Sequence, residues 1–202
     1  MQKEENTTAL IGKKMETMDL TNLGKPSINK GGRGQELERR LNLTNNSNLL
    51  DLSDGDVKTS TVGQSQAVTS LNHCLPDIMN CTPFRETNVG KKLNNQAIAM
   101  FDKKDGKNVC NKTSLDYGGF ERQFTEDYNH IASEIRKSYE TQEQLTTING
   151  PNNYLQIRTK ASRNKSTNKY TPLMYNDVQL KDKGMAFYLK AKFLKEKFAA
   201  IE

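Results

Sequence analysis

The stretch Asp51-Leu52-Ser53-Asp54-Gly55-Asp56-Val57-Lys58-Thr59 decides how this chain is read. Leu49 and Leu50 lead into it, Ser53-Asp54-Gly55 forms a tight turn, and Asp56 to Val62 has the composition of a strand. Period two in a strand places Asp56, Lys58 and Ser60 on one face and Val57 on the other, so a carboxylate and an ammonium point the same way. Asp51 precedes Asp56 across a glycine-containing turn that can fold it back to the same point. Hydrolysis of a phosphodiester asks for a divalent cation held by such carboxylates. Magnesium prefers oxygen ligands, and a neighbouring lysine can hold or deprotonate the attacking water and neutralise developing charge. Taken alone, the same residues also describe a solvated turn followed by a polar strand, so the neighbourhood has to separate the two readings.

Working outward, the helix-like Gln35-Glu36-Leu37-Glu38-Arg39-Arg40-Leu41 lies upstream, behind the glycine-rich turn Asn29-Lys30-Gly31-Gly32-Arg33-Gly34. Leu10, Ile11, Met15, Met18, Leu20 and Leu23 suggest a short helical arm ending near Gly24-Lys25-Pro26. Downstream, residues 63–82 read as loop with weak strand content. Ala97-Ile98-Ala99-Met100-Phe101 reads as a short buried strand closed by Lys104-Asp105-Gly106. Phe120, Phe124, Tyr128, Ile131 and Ile135 recur at spacings of three and four, one face of an amphipathic helix from Gly119 to about Glu140. Their role is core. Tyr154 to Arg158 alternates as a strand and runs into a basic stretch from Lys160 to Lys169. Phe187-Tyr188-Leu189 precedes a closing helix with Leu189, Phe193, Leu194 and Phe198 on its inner side.

At 202 residues the chain is long enough for one α/β domain with a core and short for two. Within 1–202 the expected segments are a helical arm (1–25), a half bearing the acidic run (26–62), a loop-rich segment with one core strand (63–118) and a last part (119–202). The excess of 30 Lys+Arg over 24 Asp+Glu, a net +6, favours a polyanionic partner: nucleic acid first, an anionic membrane surface second. Hydrophobic content of 34% is low and also admits a basic, largely disordered interaction protein. Cys74, Cys81 and Cys110 are odd in number without a CxxC pair. They and His73 and His130 support neither a disulfide framework nor a zinc site. No apolar stretch reaches the roughly 20 residues that span a bilayer and no signal peptide opens the chain, so a cytoplasmic location without membrane partners is expected.

Five blocks in order resemble the MutH family, which holds the mismatch-repair nicking endonuclease and restriction endonucleases that cut GATC. Lys30-Gly31-Gly32-Arg33-Gly34-Gln35-Glu36-Leu37-Glu38 is similar to its lysine-glycine turn opening a helix that ends in glutamate. Asp51 to Asp56-Val57-Lys58-Thr59 is similar to its Asp, short turn and Glu-x-Lys-Thr, with aspartate in the glutamate's place. Phe84-Arg85-Glu86-Thr87-Asn88-Val89-Gly90-Lys91-Lys92-Leu93 resembles its third block. Tyr154-Leu155-Gln156-Ile157-Arg158-Thr159-Lys160-Ala161 resembles YLQIRPKA, and Phe187-Tyr188-Leu189-Lys190 resembles GFYLKK. The resemblance covers about residues 10 to 202. It implies an α/β fold with a PD-(D/E)xK restriction-endonuclease-like core, a mixed central sheet flanked by helices.

The resemblance implies the following roles. Glu38, Asp51 and Asp56 are Mg2+ ligands or acid-site carboxylates, with Glu36 the competitor of Glu38; Lys58 is the catalytic lysine, and Lys92 lies beside the scissile phosphate. Lys30 approaches backbone phosphate or is an ordinary surface lysine. Arg158, Thr159 and Lys160 form the base-reading loop, in which arginine and lysine can donate to guanine O6 and N7. Thr159 stands where the family has proline. Tyr188 lies against the adenine methyl position or caps the last strand as a half-buried aromatic. Arg163 and Lys165, with Lys169, line phosphates and supply salt-dependent affinity. The implied function is a magnesium-dependent, type II restriction endonuclease acting on double-stranded DNA at or near GATC, open to homodimerisation. The alternatives are a DNA-repair nickase switched on by a mismatch-repair activator, and a non-catalytic DNA-binding module.

Overall fold

The computed structural model describes residues 7–23, 31–44 and 47–201. In chain order its elements are helices α1 (Thr8–Thr17) and α2 (Gly32–Arg40), strands β1 (Asp56–Thr61) and β2 (Gln66–Ser70), and helices α3 (Leu75–Met79) and α4 (Asn88–Asn94). Strands β3 (Gln96–Phe101) and β4 (Asn108–Ser114) follow, then helix α5 (Glu121–Thr141), strands β5 (Ile148–Asn149), β6 (Leu155–Thr159), β7 (Leu173–Tyr175), β8 (Val178–Lys181) and β9 (Met185–Leu189), and helix α6 (Ala191–Glu196). The fold is mixed α/β. Among the described residues its strands form three sheets, of three, four and two strands, where one central sheet is expected from the sequence. The chain gathers into two compact units built from separate stretches: the first from Met1–Ser65, Lys91–Gly119 and Ala191–Glu202, the second from Gln66–Gly90 and Phe120–Lys190.

The first unit is built on the sheet β1-β3-β4, with β1 parallel and β4 antiparallel to β3. A parallel pair cannot be closed by a hairpin, and residues 62–95 supply the long crossover it needs. All six β3 residues are buried, as expected for a central strand covered on both faces. Val57, Ala97, Ala99 and Phe101 form one face and pack against Ile11 and Met15 of α1, Leu37 of α2 and Leu41 at its C-terminal end. The spacing of Ile11 from Met15, and of Leu37 from Leu41, is one helical turn, which gives each short helix an apolar stripe for this face. Lys58 and Ser60 therefore fall on the opposite face, together with Asp56.

The turn before β1 is held from two sides. Leu52 N–H donates to Gly55 O at 2.9 Å, and Asp56 N–H donates to Asn95 O at 3.0 Å. A side chain at Gly55 would run into Thr8 Oγ1 and the Asn95 carbonyl, so only glycine lets the turn lie this close. Asp54 accepts from Thr8 N–H and from Thr8 Oγ1, both at 2.8 Å, at the positive end of α1.

The second unit holds the antiparallel sheet β2-β9-β6-β5. Leu155 and Ile157 of β6 are buried, as is all of β9, while Gln156 and Arg158 are half-buried on the other face. Helix α5 packs on β5 and β6 through Phe124, Tyr128, Ile131 and Ile135, as its periodicity predicts. Tyr128 stacks on Phe187 at 5.7 Å between ring centroids. The hairpin β7-β8 turns at Asn176-Asp177, both at positive φ, the geometry of a two-residue type I′ turn. Strands β4, β5, β7 and β8 and helix α4 are absent from the sequence reading, and residues 63–82, read as loop with weak strand content, hold strand β2 and helix α3.

Candidate functional site

Asp51, Asp56, Lys58 and Lys92 meet at the start of β1 within the first unit. Strand alternation places Asp56 and Lys58 together, and the 51–55 turn folds Asp51 back onto them, as expected. Lys58 Nζ lies 3.0 Å from Asp56 Oδ2 and 3.3 Å from Asp51 Oδ2. Lys92, in the last turn of α4, brings its Nζ to 3.0 Å from the same Asp56 Oδ2. Asp56 Oδ1 accepts from Asp51 N–H at 3.1 Å, and Asp51 Oδ2 accepts from Val57 N–H at 3.2 Å, which interlocks the two acids. Asp56 is 0% exposed. A carboxylate so placed needs charge and hydrogen bonds in place of its water, and two ammoniums and an amide supply them here.

Glu38 reaches the same cluster electrostatically. Burial, then the charges of Asp51 and Asp56, push its carboxyl above the usual carboxylate range against the opposing pull of Lys58. Glu36 faces elsewhere: Arg39 Nη2 and Arg40 Nε hold it at 2.8 and 2.9 Å and bring its carboxyl down to about 2. Burial alone would lower the Lys58 ammonium. The charges of Asp56 and Asp51 outweigh burial and hold it above the ordinary lysine value. At neutral pH Lys58 is thus a fixed cation and a donor.

The donor chemistry suits a hard dication, since three carboxylates supply only oxygen. Their mutual repulsion, seen at Glu38, is what a cation relieves. The arrangement itself is turned inward: among the described residues no three of His, Cys, Asp and Glu are gathered closely enough to hold a metal ion. Asp56 presents its oxygens to Lys58, Lys92 and an amide instead.

The expected DNA-facing residues lie in the second unit. Register pairs Gln156 with Tyr188 and Arg158 with Ala186, so Gln156, Arg158 and Tyr188 share one face of the sheet. The Arg158 guanidinium lies 4.0 Å over the Tyr188 ring, which is 9% exposed. Cation–π stacking thereby fixes the direction of the arginine fork. Thr159 and Lys160 are exposed where β6 ends, with Lys160 N–H donating to Gly184 O at 2.8 Å. Beyond them Arg163 pairs across a bridge with Tyr170, its Nη2 3.2 Å from the tyrosine hydroxyl. Lys165 is exposed on the loop between, where Asn164 Oδ1 accepts from Ser166 and Thr167 N–H. The stretch from Leu155 to Asn176 contains five cations and no carboxylate, a local excess of positive charge along the sequence. Lys30 lies outside the described residues.

Two structural roles escape the sequence reading. Asp54, inside the acidic run, belongs to the α1 cap. Asp127, 0% exposed on α5, accepts from the backbone N–H groups of Asn152, Tyr154 and Leu155 at 2.7, 2.8 and 2.9 Å. It clamps the loop that starts β6, and no side chain larger than glycine fits at Gly150 against it. A polar residue on an otherwise apolar helix face is the one signal that could have found it. Beside the Arg158 face, Lys190 Nζ donates to Asn149 Oδ1 at 2.9 Å and to Asn153 Oδ1 at 3.1 Å, and Gln156 Nε2 donates to Asn149 Oδ1 at 3.0 Å.

No protein-family model matches this chain, and no curated protein matches its sequence.

Proposed function

We propose that this chain is a Mg2+-dependent DNA endonuclease of the PD-(D/E)xK kind, hydrolysing double-stranded DNA at or near GATC. The observation that carries this reading is the meeting of Asp51, Asp56, Lys58 and Lys92 at one buried point, with Glu38 close enough to feel the acids. The five blocks that resemble the MutH family support it. So does a second unit that displays Arg158, Lys160, Arg163 and Lys165 without opposing carboxylates.

Glu38, Asp51 and Asp56 would hold the cation. When bound, Mg2+ supplies a polarised phosphate and a water of lowered pKa. Lys58, kept charged by its two aspartates, offers an N–H donor and a positive charge to the phosphate oxygen on which negative charge develops. Being held above the ordinary lysine value, it keeps its proton at neutral pH and acts as a hydrogen-bond donor, not as the base that takes a proton from water. Lys92 adds a second positive charge at the same carboxylate. Arg158 and Lys160 offer major-groove donors suited to guanine, the first with its plane set by Tyr188. Arg163 and Lys165 supply phosphate contacts that carry affinity without sequence information.

The test is incubation with MgCl2 and plasmid carrying GATC in unmethylated, hemimethylated and fully methylated form, resolved on a gel. Linear product from the protein alone is the expected result for a restriction endonuclease, and Asp56→Ala abolishes it. Nicked circles that require an added activator identify the mismatch-repair nickase instead. Binding without cleavage by the intact chain under all conditions defeats the nuclease reading.

A further inference from the structure

Lys190, Asn149 and Gln156 form a chain of hydrogen bonds in the second unit, and the lysine fixes the direction of the two amides. The backbone N–H of Lys190 donates to Tyr154 O at 2.9 Å, and its Nζ donates to Asn149 Oδ1 at 2.9 Å and to Asn153 Oδ1 at 3.1 Å. Asn149 lies opposite Gln156, and Gln156 opposite Tyr188, in one row across β5, β6 and β9. An ammonium only donates, so the Asn149 atom that it meets is the oxygen. That oxygen has two lone pairs, and the Gln156 amide takes the second at 3.0 Å. The Gln156 atom meeting it must then be the donor, Nε2. One Nε2 hydrogen is thus used within the sheet. The other, and Oε1, have no further protein partner among the described residues.

We infer that Gln156 is an adenine-reading residue, with Asn149 and Lys190 as the residues that position its amide. This rests on the sequence-specific DNA reading above. In the major groove adenine offers N7, an acceptor, beside N6, a donor, and an amide with one N–H and one oxygen meets both at once. Guanine offers two acceptors, N7 and O6. A glutamine free to turn can meet those with its two Nε2 hydrogens. With one of them held by Asn149, Oε1 is turned against O6 instead, and guanine is disfavoured. Thymine O4 and cytosine N4 each satisfy only half of the amide. Hydrogen bonds inside the protein therefore convert a two-way side chain into one that favours adenine. Arg158 on the same face is set in the same manner, by stacking on Tyr188, so the two neighbours meet DNA with their directions already fixed.

The experiment measures binding of the full chain by fluorescence anisotropy, with CaCl2 in place of MgCl2. The duplexes carry GATC, GATC with 7-deazaadenine (which lacks the N7 acceptor), GATC with one A·T pair replaced by G·C, and a scrambled sequence. Wild type, Gln156→Ala, Asn149→Ala, Asn149→Asp and Lys190→Met are compared. Wild type is expected to bind the 7-deazaadenine duplex about tenfold more weakly than GATC, and Gln156→Ala to bind the two within about twofold. Asn149→Ala and Lys190→Met release the amide, so the G·C duplex should gain on GATC by about fivefold. Asn149→Asp keeps an acceptor for both donors; its added charge weakens binding to every duplex while the preference for adenine over 7-deazaadenine stays. A discrimination that persists in Gln156→Ala, or that is missing from a wild type still preferring GATC to the scrambled duplex, overturns the adenine assignment and leaves the nuclease reading intact. A lowered Tm of Asn149→Ala with unchanged base preference makes the network a strap for β5 and overturns its positioning role. No preference by wild type for GATC over the scrambled duplex overturns the sequence-specific reading and this inference with it.

Discussion

Asp56 is the residue on which the first unit's chemistry turns, because it is buried and its charge is balanced by Lys58 and Lys92. Asp56→Asn removes the common partner of two ammoniums. Breaking a buried pair from one side costs about 3 kcal/mol, to be read as a lowered urea midpoint at unchanged m-value, along with loss of cleavage. Lys58 and Glu38 make the pH dependence specific. The folded state holds the Lys58 proton more tightly than the unfolded chain does. Its stabilisation is therefore complete below the unfolded lysine pKa of about 10.4 and is lost as pH rises through the folded value. Glu38 is also raised, so between its unfolded value and its folded one the native state keeps a proton that the unfolded chain has lost. Stability falls as pH rises through that acidic window. Glu38→Gln is thus expected to raise Tm at pH 7 while weakening Mg2+ binding; a lowered Tm would show that Glu38 is a stabilising partner rather than a repelled carboxylate.

Among the elements, β6 is anchored by a contact made outside its own sheet. Its start is set by Asp127, whose carboxylate gathers two backbone N–H groups from the loop before it and that of Leu155, its first residue. Hydrogen bonds to a charged acceptor are worth about 1.5–3 kcal/mol each and do not add fully. Asp127→Ala is therefore expected to cost about 3 kcal/mol. Amide exchange checks the mechanism: protection should drop at Asn152, Tyr154 and Leu155 before the rest of β6, and uniform loss across the unit would assign Asp127 to general core stability. Gly150→Ala, which drives a methyl into the same carboxylate, should act in the same place. At the start of β1 the corresponding constraint is Gly55, where Ala would displace the turn joining Asp51 to Asp56.

For the whole molecule, the net charge of +6 is distributed so that the loop from Leu155 to Asn176 has cations only. If this loop follows a phosphate backbone, replacing Lys160, Arg163 and Lys165 together by Ala should reduce the slope of log K against log salt by about 2–3, at about 0.9 per phosphate contact. The loss should be equal on GATC and scrambled duplexes in fluorescence anisotropy. Arg158→Ala should instead narrow the difference between those duplexes by about 1–3 kcal/mol. An unchanged salt slope in the triple variant would remove this loop from the DNA surface. Among the described residues no helix is long and apolar enough to cross a membrane.

Local order was legible in this sequence wherever the pattern was local. The period-two strand at Asp56–Lys58 and the apolar stripe from Phe124 to Ile135 announce themselves, because alternation and helical spacing are enforced by backbone geometry within a few residues. So does the alternation of Leu155, Ile157 and Arg158. The meeting of Asp51, Asp56 and Lys58 was legible for the same reason: one glycine turn and one strand suffice to bring them together. Tertiary structure decided what the local pattern leaves open. Glu36 and Glu38 are both carboxylates on one short helix, and only the packing of Leu37 and Leu41 turns Glu38 toward the acids and leaves Glu36 to Arg39 and Arg40. Asp54 reads as a member of the acidic run until α1, more than forty residues away in sequence, takes it as a cap. Asp127 has no partner within its own helix turn and gains its role only when the 150–155 loop folds over it. The two discontinuous units, the sheet order and the approach of Lys92 to Asp56 across thirty-six positions depend on chain crossings that no short-range period encodes. Sequence alone therefore determined which residue types carry the chemistry, because spacing acts through neighbouring bonds; the fold decided their partners, because burial and charge pairing act through space.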